Sequence, residues 1–251
     1  MKVDWDYTEF AAAYQKRPSY SRPAMERMLS LANINAAAHI CDVGAGTGHL
    51  TIELAKTGCA VAAIEPNDAM RTYGINRLSG FPNVVWFEGT GEATGQDPDC
   101  FSLVTFGSSF NVTNRQAALR ESHRILKNDG WFACMWNHRE LEDPLQAALE
   151  EIIKARLPNY QYGTRREDQT SLISSSGLFK QVQIIKEPTV WKQSVAECVE
   201  AWRSHATLAR QAGKIFPEII DAIEEKLISH GEPVISIPYV TSIWMAQKAG
   251  Y

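Results

Sequence analysis

The chain has 251 residues, of which 45% are hydrophobic and 22% are charged, and its formal net charge at pH 7 is −4. This balance is ordinary for a globular protein with one large or two small α/β domains, and it excludes the basic footprint of a nucleic-acid-binding protein. No apolar run reaches about 18 residues, and the amino-terminal stretch is acidic where a signal peptide is basic and then apolar. We therefore expect no membrane span, no signal peptide and a cytoplasmic location.

The cysteines are odd in number and widely spaced along the chain. Such spacing predicts reduced thiols in an intracellular protein, and it contains no metal-ligand pattern. The five residues are Cys41, Cys59, Cys100, Cys134 and Cys198.

Residues 1–38 precede the first predicted core strand and indicate a helical N-terminal cap. Tyr7 and Phe10 begin this segment, two prolines interrupt it, and Met25 and Met28 then recur at helical spacing. We expect these helices to pack on the core of the domain.

The next stretch, residues 39–65, has the pattern of a strand, a glycine turn, a helix and a second strand. The short apolar run His39–Val43 suits a buried parallel strand. Leu50 and Leu54 lie four residues apart, as on one face of a helix. The apolar run Val61–Ile64 then predicts the second strand. An open parallel sheet binds its ligands at the carboxyl ends of such strands.

Glycines and carboxylates mark a ligand site in this stretch. Gly44, Gly46 and Gly48 allow a sharp turn that brings the backbone close to a ligand. Glu65 ends the second strand about 20 residues later, the spacing at which a carboxylate accepts hydrogen bonds from ribose hydroxyls. Asp42 adds negative charge just before the loop, which suits a cationic ligand better than a phosphate. The predicted ligand is therefore a nucleoside, and a positively charged one is favoured.

The string CDVGAGTGHL, at residues 41–50, resembles motif I of the class I S-adenosylmethionine (SAM)-dependent methyltransferases, and Glu65 resembles the acidic residue after their second strand. The resemblance implies an α/β, Rossmann-like fold with a seven-stranded, mostly parallel sheet and helices on both faces. To this we add an N-terminal helical cap and an insertion after strand five. It also implies SAM as the cofactor and S-adenosylhomocysteine (SAH) as the product.

Two other interpretations of the glycine loop stay open. A nicotinamide-dependent oxidoreductase is one, although the third glycine arrives one residue earlier than in the dinucleotide pattern GxGxxG. A glycine turn that serves packing alone is the other.

The resemblance implies further cofactor contacts where the next strands end. Asn67 and Met70 follow the second strand, where they either flank the ribose and adenine or cap and pack the next helix. Thr90 stands where the family often has an acid, and Glu92 is alternatively a solvated residue at a helix start. The implied cofactor-binding set is Asp42, Gly44, Gly46, Glu65, Asn67, Met70, Thr90, Gly91, Glu92, Ser108 and Tyr20.

Strand and helix signals continue to alternate toward the end of the chain. The later predicted strands are Val84–Phe87, Phe101–Phe106, Trp131–Trp136, Val182–Ile185 and Val234–Gln247. The helices between them are predicted to begin at a Thr113 cap and at Asp143-Pro144, and to cover residues 195–212 and 218–230. Within a single domain of residues 1–251 we distinguish the cap (1–38), a SAM-binding core (39–137), acceptor-side cap segments (138–178 and 194–231) and C-terminal strands (179–193 and 232–251).

Methyl transfer leaves the difficult electronics to SAM, so the protein chiefly binds and aligns. A hydroxyl acceptor needs a base, and histidine is the natural one near neutral pH. His138, after the fifth strand, is the first candidate, and His205, on the predicted cap helix, is the second. Either histidine alternatively makes only structural hydrogen bonds. Tyr14 completes the catalytic set, because an aromatic face attracts a sulfonium. Tyr14, Arg17-Pro18 and Tyr20 also resemble a leader that lies over the SAM pocket in several small-molecule methyltransferases, although these aromatics alternatively only pack the helix on the core.

Several arginines are suited to an acceptor that carries a carboxylate or phosphate, because a guanidinium fork matches both groups. Surface exposure is the alternative for at least two of Arg17, Arg139, Arg165 and Arg166. Apolar and aromatic segments on the acceptor side suit a small molecule. The predicted substrate-binding set is Arg17, Phe110, Asn111, Asn137, Arg165, Arg166 and Trp202.

The predicted function is transfer of a methyl group from SAM to an oxygen of a small polar metabolite or a surface-glycan precursor. GSSFNV follows the fourth strand where an NPPY-type string would indicate methylation of a base or amide nitrogen. The alternatives are a small-molecule N-methyltransferase and a non-catalytic SAM-binding module. We expect a small-molecule acceptor and no nucleic-acid, membrane or metal partner, and the sequence indicates no oligomeric state.

Overall fold

One sheet of seven strands organises the computed structural model, which describes residues 6–250. The first five residues of the predicted cap, and Tyr251, lie outside the described residues. The strands are His39–Val43 (β1), Ala60–Ile64 (β2), Val84–Phe87 (β3), Phe101–Gly107 (β4), Leu126–Arg139 (β5), Gln183–Ser194 (β6) and Val234–Gln247 (β7). Their order is β3-β2-β1-β4-β5-β7-β6, and only β7 runs antiparallel to its two neighbours. The predicted fold class is confirmed.

Ten α-helices lie among the described residues. They are Ala11–Tyr14 (α1), Arg22–Leu31 (α2), His49–Ala55 (α3), Asp68–Arg77 (α4), Arg115–Ile125 (α5), Pro144–Arg156 (α6), Thr170–Ser175 (α7), Val195–Arg203 (α8), Ala206–Ala212 (α9) and Phe216–Ser229 (α10). None of these helices is long and apolar enough to cross a lipid bilayer.

Apolar clusters cover both faces of the sheet. On one face, Met28 of α2 and Leu54 of α3 pack with Leu103 of β4. On the other face, Leu119 of α5 and Phe132 of β5 belong to a second cluster. Burial of apolar surface on both faces is what a mostly parallel sheet requires.

A third apolar cluster belongs to the cap on the acceptor side. It joins α6, α8, α9 and α10 to the first residues of β7, including the buried Ile235. We call this unit, residues 144–156 and 195–237, the helical cap. It is distinct from the predicted N-terminal cap of residues 1–38. It packs around its own core, so its inner surface keeps a fixed position relative to the sheet.

Three long strands carry the helical cap past the edge of the parallel sheet. The last pair between β4 and β5 is Gly107 with Met135, but β5 continues to Arg139, which pairs with Tyr239 of β7. At this end β6 leads directly into α8, and α10 leads back into β7. The cap therefore stands over the carboxyl ends of the parallel strands.

Several details differ from the sequence predictions. The sixth strand is longer than the predicted Val182–Ile185, and it pairs with β7 as a neighbour across three intervening helices. The predicted helix over 195–212 is two helices that meet at Ser204 and His205. The cap of α5 is Asn114, whose side chain accepts from the Ala117 amide, and not the predicted Thr113.

Candidate active site

A cavity of about 780 Å³ opens at the carboxyl ends of the parallel strands. Its size falls within the usual range for small-molecule sites. The loops after β1, β2 and β4 form one wall, and residues 14–20 together with the helical cap form the opposite side. The cavity thus has a sheet side and a cap side.

The glycine loop after β1 is held in place by its backbone. The amides of Gly44 and Ala45 both donate to the Ile64 carbonyl, at 2.8 and 3.0 Å. Gly44 has a φ of +67°, and a Cβ there would lie 2.4 Å from the Cβ of Ser109. Only glycine meets both conditions without strain, so the loop stays open toward the cavity.

Glu65 reaches the same loop from the end of β2. Its Oε2 accepts from the Gly46 amide at 2.8 Å, and its Oε1 accepts from the Asn67 amide at 2.9 Å. The residue is 7% exposed, and this burial raises the pKa of the carboxyl to about 7. Each carboxylate oxygen has a further lone pair, so Glu65 can still accept from two adjacent ribose hydroxyls.

Asp42 lines the cavity but is committed within the protein. It is fully buried, and it accepts from the hydroxyls of Thr51 at 2.7 Å and Thr105 at 3.0 Å. Burial raises the pKa of this carboxyl to about 6. Its hydrogen bonds join β1 to α3 and β4, so its first effect is to brace the strand ends beneath the glycine loop.

The remaining predicted cofactor residues also line the cavity. Asn67 caps α4 by accepting from the Met70 amide at 3.0 Å, and Met70 is buried. Glu92 accepts from the Asn114 amide and so connects the loop after β3 to the start of α5. The other predicted cofactor residues along this wall are Gly44, Gly46, Thr90, Gly91 and Ser108.

The leader, residues 14–20, covers the glycine loop. His49, at the start of α3, donates from Nε2 to the Tyr14 carbonyl at 2.8 Å and accepts from Arg77 at Nδ1. The Tyr20 hydroxyl lies 3.1 Å from the Ser108 hydroxyl. Tyr14 and Tyr20 both line the cavity. The sequence analysis missed His49, although a polar residue opening the first helix after a glycine loop is itself a signal.

His138 lines the cap side of the cavity. Its Nε2 donates to the Arg165 carbonyl at 2.9 Å, so in the neutral ring Nδ1 is the nitrogen with a lone pair. Burial and the nearby Arg166 lower the pKa of His138 to about 4. The ring is neutral at physiological pH but a weak base.

His205 stands at the junction of α8 and α9. Its Nδ1 accepts from the Leu208 amide at 3.3 Å as the cap of α9, and the Arg165 guanidinium lies 3.0 Å from its Nε2. The ring stacks on Trp202 with centroids 5.6 Å apart. Burial and Arg165 lower the pKa of His205 well below its usual range.

The four arginines singled out in the sequence meet around this junction. Arg17 donates to the Ser204 hydroxyl and carbonyl, each at 2.8 Å. Arg139 stacks on Trp202, with its guanidinium carbon 3.7 Å from the ring centroid. Arg166 approaches the Arg139 carbonyl at 3.5 Å. All four, including Arg165, line the cavity. None of them has the purely surface position that the sequence analysis left as an alternative.

One predicted substrate residue is wrong. Phe110 is fully buried and packs edge-on against Phe106 and Phe132, with centroids 5.3 and 5.4 Å away. It belongs to the sheet core because the turn after β4 folds back over the sheet before α5 begins.

Two other predicted substrate residues line the cavity while holding its walls. Asn111 accepts from the Trp136 indole at 3.0 Å, and Asn137 donates to the Ser19 carbonyl at 2.9 Å. The sequence analysis also missed cavity residues that come from distant segments, among them Thr47, Gln146, Tyr162, Gln193 and Tyr239.

Comparison with known proteins agrees with this geometry. Residues 41–134 match the model of a family described as a methyltransferase domain. A ubiquinone/menaquinone biosynthesis C-methyltransferase of Zymomonas mobilis is 37% identical over 103 residues, which are 40% of this chain and 43% of that protein. A malonyl-[acyl-carrier protein] O-methyltransferase of Geobacter sulfurreducens is 28% identical over 72% of this chain and 70% of its own length.

The solved structures agree on the fold. The YcgJ protein of Bacillus subtilis superposes with a TM-score of 0.58 at 18% identity, covering 92% of this chain and 100% of that one. The chain spans about half the length of the first curated relatives it matches. The chain therefore contains a methyltransferase domain, matched over residues 41–134, and its sheet order and its glycine loop with the carboxylate after β2 are similar to those of class I SAM-dependent methyltransferases.

Proposed function

We propose that the protein transfers a methyl group from SAM to an oxygen of a small polar molecule. The observation that carries the proposal is that one cavity has two chemically different sides. The sheet side holds the glycine loop and Glu65, and the cap side holds polar and aromatic side chains beyond them. One cavity of this kind can hold a nucleoside and a second small molecule against each other.

The residues of the sheet side suit SAM. When bound, SAM supplies a methyl group on a positively charged sulfur, which is ready for displacement. Glu65 and the loop amides would hold the nucleoside, and the rings of Tyr14 and Tyr20 offer cation–π attraction of about 0.5 to 2 kcal/mol. The leader covers this side and limits the access of water.

The protein's remaining contribution is alignment. The helical cap packs on its own core and on the first residues of β7, which pairs with β5. An acceptor held between cap and cofactor would lie in a fixed orientation, and positioning of two reactants can supply up to about 7 to 11 kcal/mol of a barrier.

The proposal that oxygen is the methyl-accepting atom rests on the residues of the acceptor side and on one relative. The relative that covers more of this chain is named an O-methyltransferase of malonyl-[acyl-carrier protein], whereas the shorter match is named a C-methyltransferase. Both histidines that line the cap side carry no positive charge near neutral pH, because burial and neighbouring arginines lower their pKa. A metabolite with oxygen nucleophiles fits these surroundings.

Calorimetric titration with SAM tests the first half of the proposal. Glu65→Ala should weaken SAM binding by about 1 to 3 kcal/mol, because ribose hydrogen bonds to a charged group are lost. Glu26→Ala, which removes an exposed carboxylate from α2, is the matched control and should bind SAM normally. If Glu65→Ala bound SAM with unchanged affinity, the assignment of the cofactor site would be wrong.

Transfer of labelled methyl groups tests the second half. The acceptor panel should contain organic acids, sugars and phosphorylated metabolites, with an amine and a nucleoside for comparison. Label on oxygen is the expected result. Label on nitrogen or carbon alone would contradict oxygen transfer, and SAM binding without transfer to any acceptor would favour a binding module.

A further inference from the structure

Charge is distributed unequally over the cavity. Its carboxylates are Asp42, Glu65 and Glu92, and all three follow or end strands β1 to β3 on the sheet side. Its guanidinium groups all lie on the other side, around the junction of α8 and α9, and belong to Arg17, Arg139, Arg165 and Arg166. A cationic cofactor on the acidic side leaves the basic side facing the acceptor.

The guanidinium groups of the basic side make no direct contact with a described carboxylate. Among residues 6–250, none of these four arginines has a carboxylate oxygen within 4.0 Å. Glu150 is near enough for its charge to act on Arg139, but it accepts from the Tyr162 hydroxyl and pairs with Lys154. Burial lowers the pKa of Arg139, and burial with its cationic neighbours lowers the pKa of Arg165 to about 10. Clustered buried cations are costly unless an anion joins them.

SAM accounts for only part of this cluster. Its amino-acid end carries one carboxylate, and Arg17 is the arginine of the leader that covers the glycine loop. The other three arginines are Arg139, at the end of β5 and two strands from β1 in the sheet, and Arg165 and Arg166, which lie beside that end of β5. These three remain for the acceptor.

A buried amide gives an independent indication of a ligand. Gln146, in the first turn of α6, lines the cavity and is 1% exposed, yet its Nε2 has no hydrogen-bond partner among residues 6–250. Glu150 lies one turn later on the same helix and holds Tyr162, whose ring lies 4.1 Å from the Arg166 guanidinium carbon. A ligand oxygen beside the arginines would satisfy the buried donor, which otherwise costs free energy.

The two histidines on this side are weak general bases, because burial and neighbouring arginines lower the pKa of both. His138 donates one ring nitrogen to the Arg165 carbonyl, and His205 faces two donors, the Leu208 amide and Arg165. An alcohol acceptor needs its proton removed during attack. A carboxylate has already lost its proton at neutral pH.

We propose that the acceptor is a small polycarboxylate, held through one carboxylate by Arg139, Arg165 and Gln146 and methylated on a second carboxylate. This inference rests on the methyl transfer proposed above. A carboxylate chelated by guanidinium groups is a poor nucleophile, so the anchoring group and the attacking group are different ones.

The step balances without a base. An electron pair of the free carboxylate oxygen forms the O–CH₃ bond, while the S–CH₃ bond breaks and its electron pair stays on sulfur. The attacking carboxylate becomes an uncharged ester group and the sulfonium becomes the thioether of SAH, while the anchoring carboxylate keeps its negative charge. No proton moves.

Methyl-labelled SAM and the full chain test this proposal with defined probes. The acceptors are propane-1,2,3-tricarboxylate, succinate, glycerol 3-phosphate, inorganic phosphate and the neutral propane-1,2,3-tricarboxamide. Mild alkali releases the label of a methyl ester as methanol and leaves ethers and N-methyl groups intact. We expect alkali-labile label with a polycarboxylate and none with the amide.

Binding to the SAH-loaded protein supplies the second readout. Arg165→Gln should raise the Kd for the bound polycarboxylate by about tenfold to a hundredfold, as for a lost charge-assisted hydrogen bond. Its SAM affinity should be unchanged, which also shows that the variant is folded. Arg156→Gln removes an exposed positive charge at the end of α6, outside the cavity, and should behave as wild type.

Several outcomes would overturn the polycarboxylate assignment. They are alkali-stable label, preference for a phosphate probe, binding of neither polycarboxylate to the SAH-loaded protein, and an Arg165→Gln variant that binds the acid as wild type does. These results leave SAM binding intact. Loss of SAM binding by the wild-type protein would instead defeat the proposed methyl transfer itself.

Discussion

The guanidinium of Arg165 lies 3.0 Å from Nε2 of His205, while the Leu208 amide donates to Nδ1 of the same ring. A neutral imidazole has only one acceptor nitrogen, so the two donors compete for it. The Arg165 guanidinium therefore keeps hydrogen-bonding capacity for an anion. His205 in turn serves the helix junction and has little capacity to take up a proton.

The first prediction concerns this histidine. His205→Asn should keep the cap of α9, since asparagine is among the best N-cap residues, and it removes the ring that faces Arg165. We expect turnover within about threefold of wild type and a free energy of unfolding within about 1 kcal/mol. Steady-state kinetics and urea unfolding measure the two quantities. A loss of turnover beyond about a hundredfold at unchanged KM would restore His205 as the base.

The second prediction separates two roles for His138. Because its Nε2 donates to the Arg165 carbonyl, His138→Asn should loosen residues 165–166 and raise the acceptor KM, with turnover and SAM affinity little changed. A general base would behave differently: turnover would fall at an unchanged KM, and the pH dependence of kcat would change. The pH profile of both kinetic constants in the variant distinguishes the two roles.

The third prediction is the pH dependence of SAM binding. Burial raises the pKa of Glu65 to about 7 in the free protein, whereas the unfolded chain releases this proton near the ordinary glutamate pKa of 4.5. Between these values the native state binds more protons, so this group makes the free protein less stable as pH rises. Ribose hydroxyls require the ionised carboxylate, so binding releases the proton and SAM affinity should rise from pH 5.5 to about 7.

Calorimetry across this pH range measures the effect. Glu65→Gln should bind more weakly and lose most of the slope, because a neutral amide has no proton to release. Asp42, with a pKa raised to about 6, remains in both proteins and so cancels in the comparison. An identical slope in wild type and variant would assign the titration to another group.

The fourth prediction uses the buried amide of Gln146. Its unpartnered Nε2 costs the free protein free energy, so Gln146→Leu, of similar volume, should leave Tm unchanged or raise it. The same change should weaken binding of the polycarboxylate about tenfold by removing a donor. Thermal unfolding measures the change in Tm, and calorimetry on the SAH-loaded variant measures the change in affinity for the polycarboxylate. A fall in both stability and affinity would indicate a structural role only.

The sequence could predict that the residues of the proposed SAM side lie together, because they are close in the chain. The loop at Gly44 and Gly46, and Glu65 at the end of β2, form one local βαβ unit whose geometry follows from strand and turn chemistry. The seven-stranded, mostly parallel sheet followed from the family resemblance, and the alternation of apolar strands with helices agreed with it.

The acceptor side depends on tertiary contacts that no local pattern encodes. Arg17, Arg139 and Arg165 lie far apart in sequence and meet only because β5 extends past the sheet and the chain breaks between α8 and α9. That break follows from Ser204 and His205, which satisfy backbone groups at the junction. The prediction for Phe110 was wrong for a different reason. Phe110 follows the end of β4, which suggested a position at the catalytic edge, but its side chain is buried in the core.

The most direct measurement is the calorimetric affinity for SAM of the wild-type chain beside Glu65→Ala and the surface control Glu26→Ala. Our account expects wild type and the control to bind SAM equally well, and Glu65→Ala to bind more weakly by about 1 to 3 kcal/mol. Equal affinity of all three proteins, or no binding by the wild type, would contradict the nucleoside site at the ends of β1 and β2.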